Sequence, residues 1–168
     1  FGRITTENGV GNQGFNFNTS YGGANDADGF EDSAKLTLAT WVHVAITHNS
    51  TTKKTSVLFN GVDNPGYNLQ QVGAGSIATT TDSGVYLGKD AGTSGNPGWT
   101  GLLGGTLRVW NYARNGAEIR DNYLKTLTCA SEPGLIVNLN FTEGSGTSIA
   151  NECDGSHNMT LFNTPSWV

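Results

Sequence analysis

The stretch that most limits the fold is Trp41 to Gly61, WVHVAITHNSTTKKTSVLFNG. Two alternating runs flank a polar, turn-forming centre, which is the pattern of an antiparallel hairpin. Val42, Val44 and Ile46 fall on one face of the first arm, with Trp41, His43, Ala45 and Thr47 on the other. In the second arm Val57 and Phe59 share a face, opposite Ser56 and Leu58. The run Asn49 to Lys54 between them is short-chained, polar and carries two lysines, so it belongs at the surface. Asn60-Gly61 closes the second arm with a dipeptide suited to positive φ. Trp41 and Trp110 are expected in the core, because large aromatics mostly stabilise cores.

Around this hairpin the chain reads as short strands separated by turns. Twenty-four glycines in 168 residues, with only 14% charged residues, fit that reading. FGRI and GFNF near the start are strand-like, with Phe15 and Phe17 on a common face. Val85 to Leu87, Thr106 to Trp110, Leu135 to Phe141 and Asn158 to Phe162 are further expected strands. The one convincing helix runs over Asn115 to Leu124. Asn115 and Glu118 have the spacing of a capping box, and Ile119, Tyr123 and Leu127 form its expected apolar stripe. Many strands with one late helix predict an all-β antiparallel sandwich, and no composition shift marks a second domain.

A net charge of −5 argues against a nucleic-acid partner, since phosphate binding draws on clustered Lys and Arg. No apolar run approaches the roughly 20 residues that cross a bilayer as a helix. A chain beginning at Phe1, without methionine or signal peptide, reads as a mature product or an excised piece. Cys129 and Cys153 are consistent with one disulfide, or with two buried thiols. Four glycosylation sequons, at Asn18, Asn49, Asn140 and Asn158, favour a secreted, oxidised protein. Asn49, at the hairpin turn, is the best placed acceptor.

Trp41-Val42-His43-Val44-Ala45 is followed by Leu58-Phe59-Asn60-Gly61 and then by Val85-Tyr86-Leu87-Gly88. The order of these motifs resembles laminin G-like domains of the concanavalin A-like jelly-roll superfamily, a pentraxin-like group. Leu107 to Arg114 follows, with Ala117-Glu118-Ile119 opening the helix. Glu132-Pro133-Gly134-Leu135 and Phe141 to Gly146 look like the link and strand after that helix in tandem members. The resemblance implies one two-sheet jelly roll over residues 1–168. Family members carry further strands before the point matching Phe1. Either the chain is part of a longer one, or residues 135–168 supply the covering strand. Relatives also often have an acidic pair just before the position of Leu107, used by some in calcium binding. Gly104, Gly105 and Thr106 stand here instead, which takes ligands away from an inherited calcium site.

Jelly-roll relatives include glycosidases, which need two carboxyl groups about 5 Å apart for retaining hydrolysis. Glu7, Glu31, Glu118, Glu132, Glu143 and Glu152 fall in loops, turns or a helix cap, and none forms an alternating acidic strand. Glu143 in TEGSG reads as a turn residue. The chain is therefore expected not to be an enzyme. Asp26, Asp28 and Asp32 lie in an acidic loop that offers hard oxygen ligands for calcium. Aligned as an EF-hand on Gly29, however, Ala24 and Lys35 fall on ligand positions. His43, His48 and His157 lack zinc-ligand spacing.

Sugar binding wants exposed aromatic faces beside amides. Trp99 with Asn96 is the first such pair, against the alternative that Trp99 packs in the core or at its rim, and Tyr67 with Asn64 is the second. The expected function is a secreted or cell-surface recognition module, carbohydrate-binding or adhesive, whose partner is a glycan or an extracellular protein. The alternative is a self-assembling structural subunit of an extracellular filament or coat.

Overall fold

The computed structural model describes residues 2–7, 12–17, 40–52, 54–63, 69–70, 87, 102–162 and 166–168. They belong to two compact units, one of residues 1–100 and 115–123, the other of residues 101–114 and 124–168. Among the described residues the chain is built of short strands and one short helix.

In the first unit β1 (Gly2–Glu7) and β2 (Asn12–Phe17) pair antiparallel, with Ile4 opposite Phe15 and Gly2 opposite Phe17. The expected hairpin follows as β3 (Val44–Asn49) and β4 (Lys54–Phe59). Its register sets Val44 against Phe59, Ile46 against Val57 and His48 against Thr55. Because side chains alternate along a strand, Ala45 and Leu58 share the opposite face. β5 (Val62–Asp63) and β6 (Leu69–Gln70) both pair with β4. Asn60 and Gly61 both have positive φ, 51° and 73°, in the two-residue link between Phe59 and Val62. This is the type I′ geometry that Asn-Gly favours. β4 therefore has partners on both edges, and Thr55, Val57, Leu58 and Phe59 are all buried.

The helix α1 (Gly116–Asn122) lies against the Leu58 face. A Cβ on Gly116 would sit 3.6 Å from a Leu58 methyl, and one on Gly61 only 2.7 Å from the Arg120 Cα. The capping box forms as expected. The Glu118 N–H donates to Asn115 Oδ1 at 3.0 Å, and the Asn115 N–H donates to a Glu118 carboxylate oxygen at 2.7 Å. Ile119 is buried, and the Tyr123 ring stands 5.1 Å from that of His43. The stripe ends there. Leu127 is buried, but the helix stops at Asn122 and Leu127 belongs to the second unit.

In that second unit β7 (Leu107–Trp110) pairs antiparallel with β8 (Leu135–Leu139), with a register shift between Val109 and Trp110. β9 (Ser148–Ile149) pairs with β10 (Met159–Thr160), so the last strand is shorter than the alternation of 158–162 predicts. Leu127, Leu135, Leu139 and Ile149 form its buried apolar set. Trp41 contradicts its expected place in the core: it is 66% exposed. It precedes the first ladder residue of β3, so the hairpin pairing does not fix its side chain. Trp110 is half-buried.

Candidate functional site

Asn49 is the last residue of β3 and is exposed. Its side-chain carbonyl accepts the N–H groups of Thr51 and Thr52, both at 3.0 Å. This is how a short amide caps a four-residue loop. Next to it in the same strand, His48 Nδ1 lies 2.8 Å from the hydroxyl of fully buried Thr55 across the pair. Burial holds the His48 imidazole below its ordinary pKa of 6.5, because the charged form loses hydration.

The second unit is organised around two asparagines. Asn138 is fully buried, and its amide donates to the Leu127 carbonyl at 3.1 Å and to the Glu152 carboxylate at 3.2 Å. Arg108 Nε donates to Asn138 Oδ1 at 3.4 Å, and the same guanidinium donates to the Lys125 carbonyl. Asn151, 3% exposed, uses its whole bonding capacity. Its Oδ1 accepts the N–H of Asn138 at 2.9 Å and of Cys153 at 3.2 Å. Its Nδ2 donates to the Ile136 carbonyl at 3.2 Å and to Asp154 Oδ1 at 3.0 Å. The Asn151 N–H in turn donates to Asn158 Oδ1 at 2.8 Å.

Cys129 and Cys153 form a disulfide, which joins this network to the segment before β8. Beside it an open depression of about 570 Å³ is lined by the disulfide, Ala130, Leu135, Ile136, Asp154 and His157. The Ser156 hydroxyl and N–H both donate to Asp154, which lowers its carboxyl pKa. His157 Nδ1 is 2.7 Å from the same hydroxyl. Since that hydroxyl already donates to Asp154, the imidazole is its donor rather than its base. The trio is not an activated nucleophile.

Arg114 is buried with its guanidinium 4.4 Å over the Trp110 ring. Glu132 stands 3.8 Å from it as an ion pair. Arg114 Nε and Trp110 Nε1 are buried, with no hydrogen-bond partner among the described residues. Four glutamates of the helix and the second unit have structural work in view. Glu118 caps α1, Glu132 faces Arg114, Glu143 accepts the Ala150 N–H at 3.0 Å, and Glu152 holds Asn138.

The sugar-site residues expected from the sequence, Trp99, Asn96, Tyr67 and Asn64, lie outside the described residues. So do the acidic-loop residues Asp26, Asp28 and Asp32, and the sequon at Asn18. Gly104 and Gly105 are exposed ahead of β7, and Thr106 is half-buried. Among the described residues no three His, Cys, Asp or Glu side chains gather in a way that could hold a metal ion. No described helix is long and apolar enough to cross a membrane. Sequence reasoning missed Trp41 as a surface aromatic, and it missed Asn138 and Asn151 altogether.

Residues 3–120 match a laminin G-type family described as the concanavalin A-like lectin/glucanases superfamily. The chain belongs to that superfamily. Membership implies a β-sandwich, in keeping with a chain of strands and one short helix. Laminin G-like domains are in general binding modules that engage glycans or extracellular proteins, and a disulfide suits their usual extracellular setting. The match covers the hairpin, β7 and most of α1, and stops short of β8. No curated protein and no solved structure matches the chain.

Proposed function

We propose that this chain is a noncatalytic, secreted recognition module on a jelly-roll sandwich, and that it binds carbohydrate in an adhesive role. The observation that carries the reading is the match of residues 3–120 to a lectin-containing superfamily. The engagement of Glu118, Glu132, Glu143 and Glu152 in structural contacts supports a binding rather than a hydrolytic role. Trp99 with Asn96, and Tyr67 with Asn64, supply the ring faces and amides that a sugar needs. An aromatic face covers the apolar C–H side of a pyranose, and the amides bond its hydroxyls.

A glycan array probed with and without calcium tests this. Binding to a defined glycan class is expected, with loss on Trp99→Ala at unchanged circular dichroism. Retention of no glycan under either condition would overturn the lectin reading.

A further inference from the structure

We propose that Asn49 carries an N-linked glycan. The inference rests on passage through a secretory compartment, which is part of the function proposed above, and adds a modification site to it. Three of the four sequons fall among the described residues, and the structure treats them differently. Asn140 is half-buried and is followed by Phe141 at φ 52°, a conformation that is uncommon for a bulky residue. A glycan at Asn140 therefore has less open solvent around its attachment point than one at an exposed asparagine.

Asn158 is exposed, but its carbonyl accepts the N–H of Asn151, so its side chain is a member of the buried amide network. Asn49 is exposed, and the bonds its side chain makes are exposed and local rather than part of the buried network. Its carbonyl turns inward to Thr51 and Thr52 within its own loop, and its Nδ2 has no hydrogen-bond partner among the described residues. The hydroxyl-bearing Thr51, third residue of the sequon, is exposed beside it. Ser50 and Thr52 are exposed as well, so a bulky group on Nδ2 meets solvent.

The donor class is a lipid-pyrophosphate-linked oligosaccharide. The Asn49 amide nitrogen forms a bond to the anomeric carbon, the bond from that carbon to the pyrophosphate oxygen breaks, and the nitrogen gives up one proton. The lipid pyrophosphate leaves with the electron pair. Because Oδ1 keeps both loop hydrogen bonds through this change, the hairpin geometry is the same before and after.

The test is peptide mapping of the full chain secreted by eukaryotic cells, treated with an amide-cleaving glycosidase in heavy-oxygen water. Heavy aspartate at position 49 is expected, together with one fewer glycan in the intact mass of Asn49→Gln. Asparagine retained at position 49, with or without heavy aspartate at another sequon, overturns the proposal. Intact mass under non-reducing conditions separates the two ideas. A secreted, disulfide-closed chain with bare Asn49 sinks the site alone, whereas a chain held inside the cell with free thiols sinks the secreted reading.

Discussion

Replacing Asn151 with alanine removes four side-chain hydrogen bonds at once. The heaviest loss is the partner of the Asn138 N–H, because Asn138 is fully buried and water cannot take over. An orphaned buried amide costs about 1–3 kcal/mol, and each remaining bond contributes about 0.5–1.5 kcal/mol net. The sum is roughly 5 kcal/mol, a large share of the roughly 5–15 kcal/mol that holds a domain together. With a urea m value of about 2 kcal/mol/M, the unfolding midpoint should fall by roughly 2.5 M.

Asn151→Asp refines the test. The new carboxylate keeps the acceptor bonds to Asn138 and Cys153 but sets an anionic oxygen against the Ile136 carbonyl and Asp154. It should be worse than alanine near neutral pH and recover part of the difference in acid, as one carboxyl takes up a proton. Equilibrium urea unfolding followed by fluorescence reads both variants. A midpoint shift under about 0.5 M for Asn151→Ala would mean that the network is hydrated rather than structural, and the reasoning would fail.

Three further outcomes are expected. His48 has its pKa lowered by burial, so the unfolded chain takes up a proton near pH 6.5 while the folded chain resists it. Stability should therefore be full above that pH and decline below it, and His48→Gln should flatten the decline in urea midpoints; an equal decline in the variant would rule His48 out as the source. Opening the Cys129–Cys153 bridge, whose ends are 24 residues apart, should cost about 3.5 kcal/mol by loop-closure entropy. Unchanged thermal unfolding of the double serine variant would contradict that. Gly61→Ala should destabilise by more than about 1 kcal/mol, since it combines positive φ with a 2.7 Å approach to the Arg120 backbone. Gly116→Ala, with 3.6 Å to Leu58, should be neutral or stabilising by up to about 1 kcal/mol. Equal effects at the two sites in a melting scan would refute the steric account.

The parts of this fold that could be read in the sequence are those set by neighbouring residues. Asn60-Gly61 specifies its own turn, Asn115 and Glu118 specify a helix start, and strand alternation fixes which residues of β3 and β4 share a face. Burial is decided by what arrives from elsewhere, which alternation does not contain. Trp41 carries the pattern of a strand residue yet is exposed, and Leu58, patterned as the outer face, is buried under α1. The asparagine network was illegible for a related reason. In a chain rich in Asn, nothing local marks Asn138 and Asn151 as buried, because the bonds that tie them to Arg108, Leu127, Ile136 and each other span 11 to 30 residues. Of the expected sugar site, the sequence offers chemistry alone.

The pairing of β7 with β8 bears on where this chain can be divided. The family match closes at residue 120, whereas the partner of β7 begins at Leu135. An expression fragment trimmed to the matched stretch would keep Leu107 to Trp110 and discard the strand they pair with, leaving backbone amides and carbonyls open to another chain. Such a fragment would also lose the ring closed by Cys129 and Cys153. Workable boundaries for recombinant pieces of this protein therefore lie beyond Cys153, and a trimmed version is expected to emerge as inclusion bodies or ladders of oligomers.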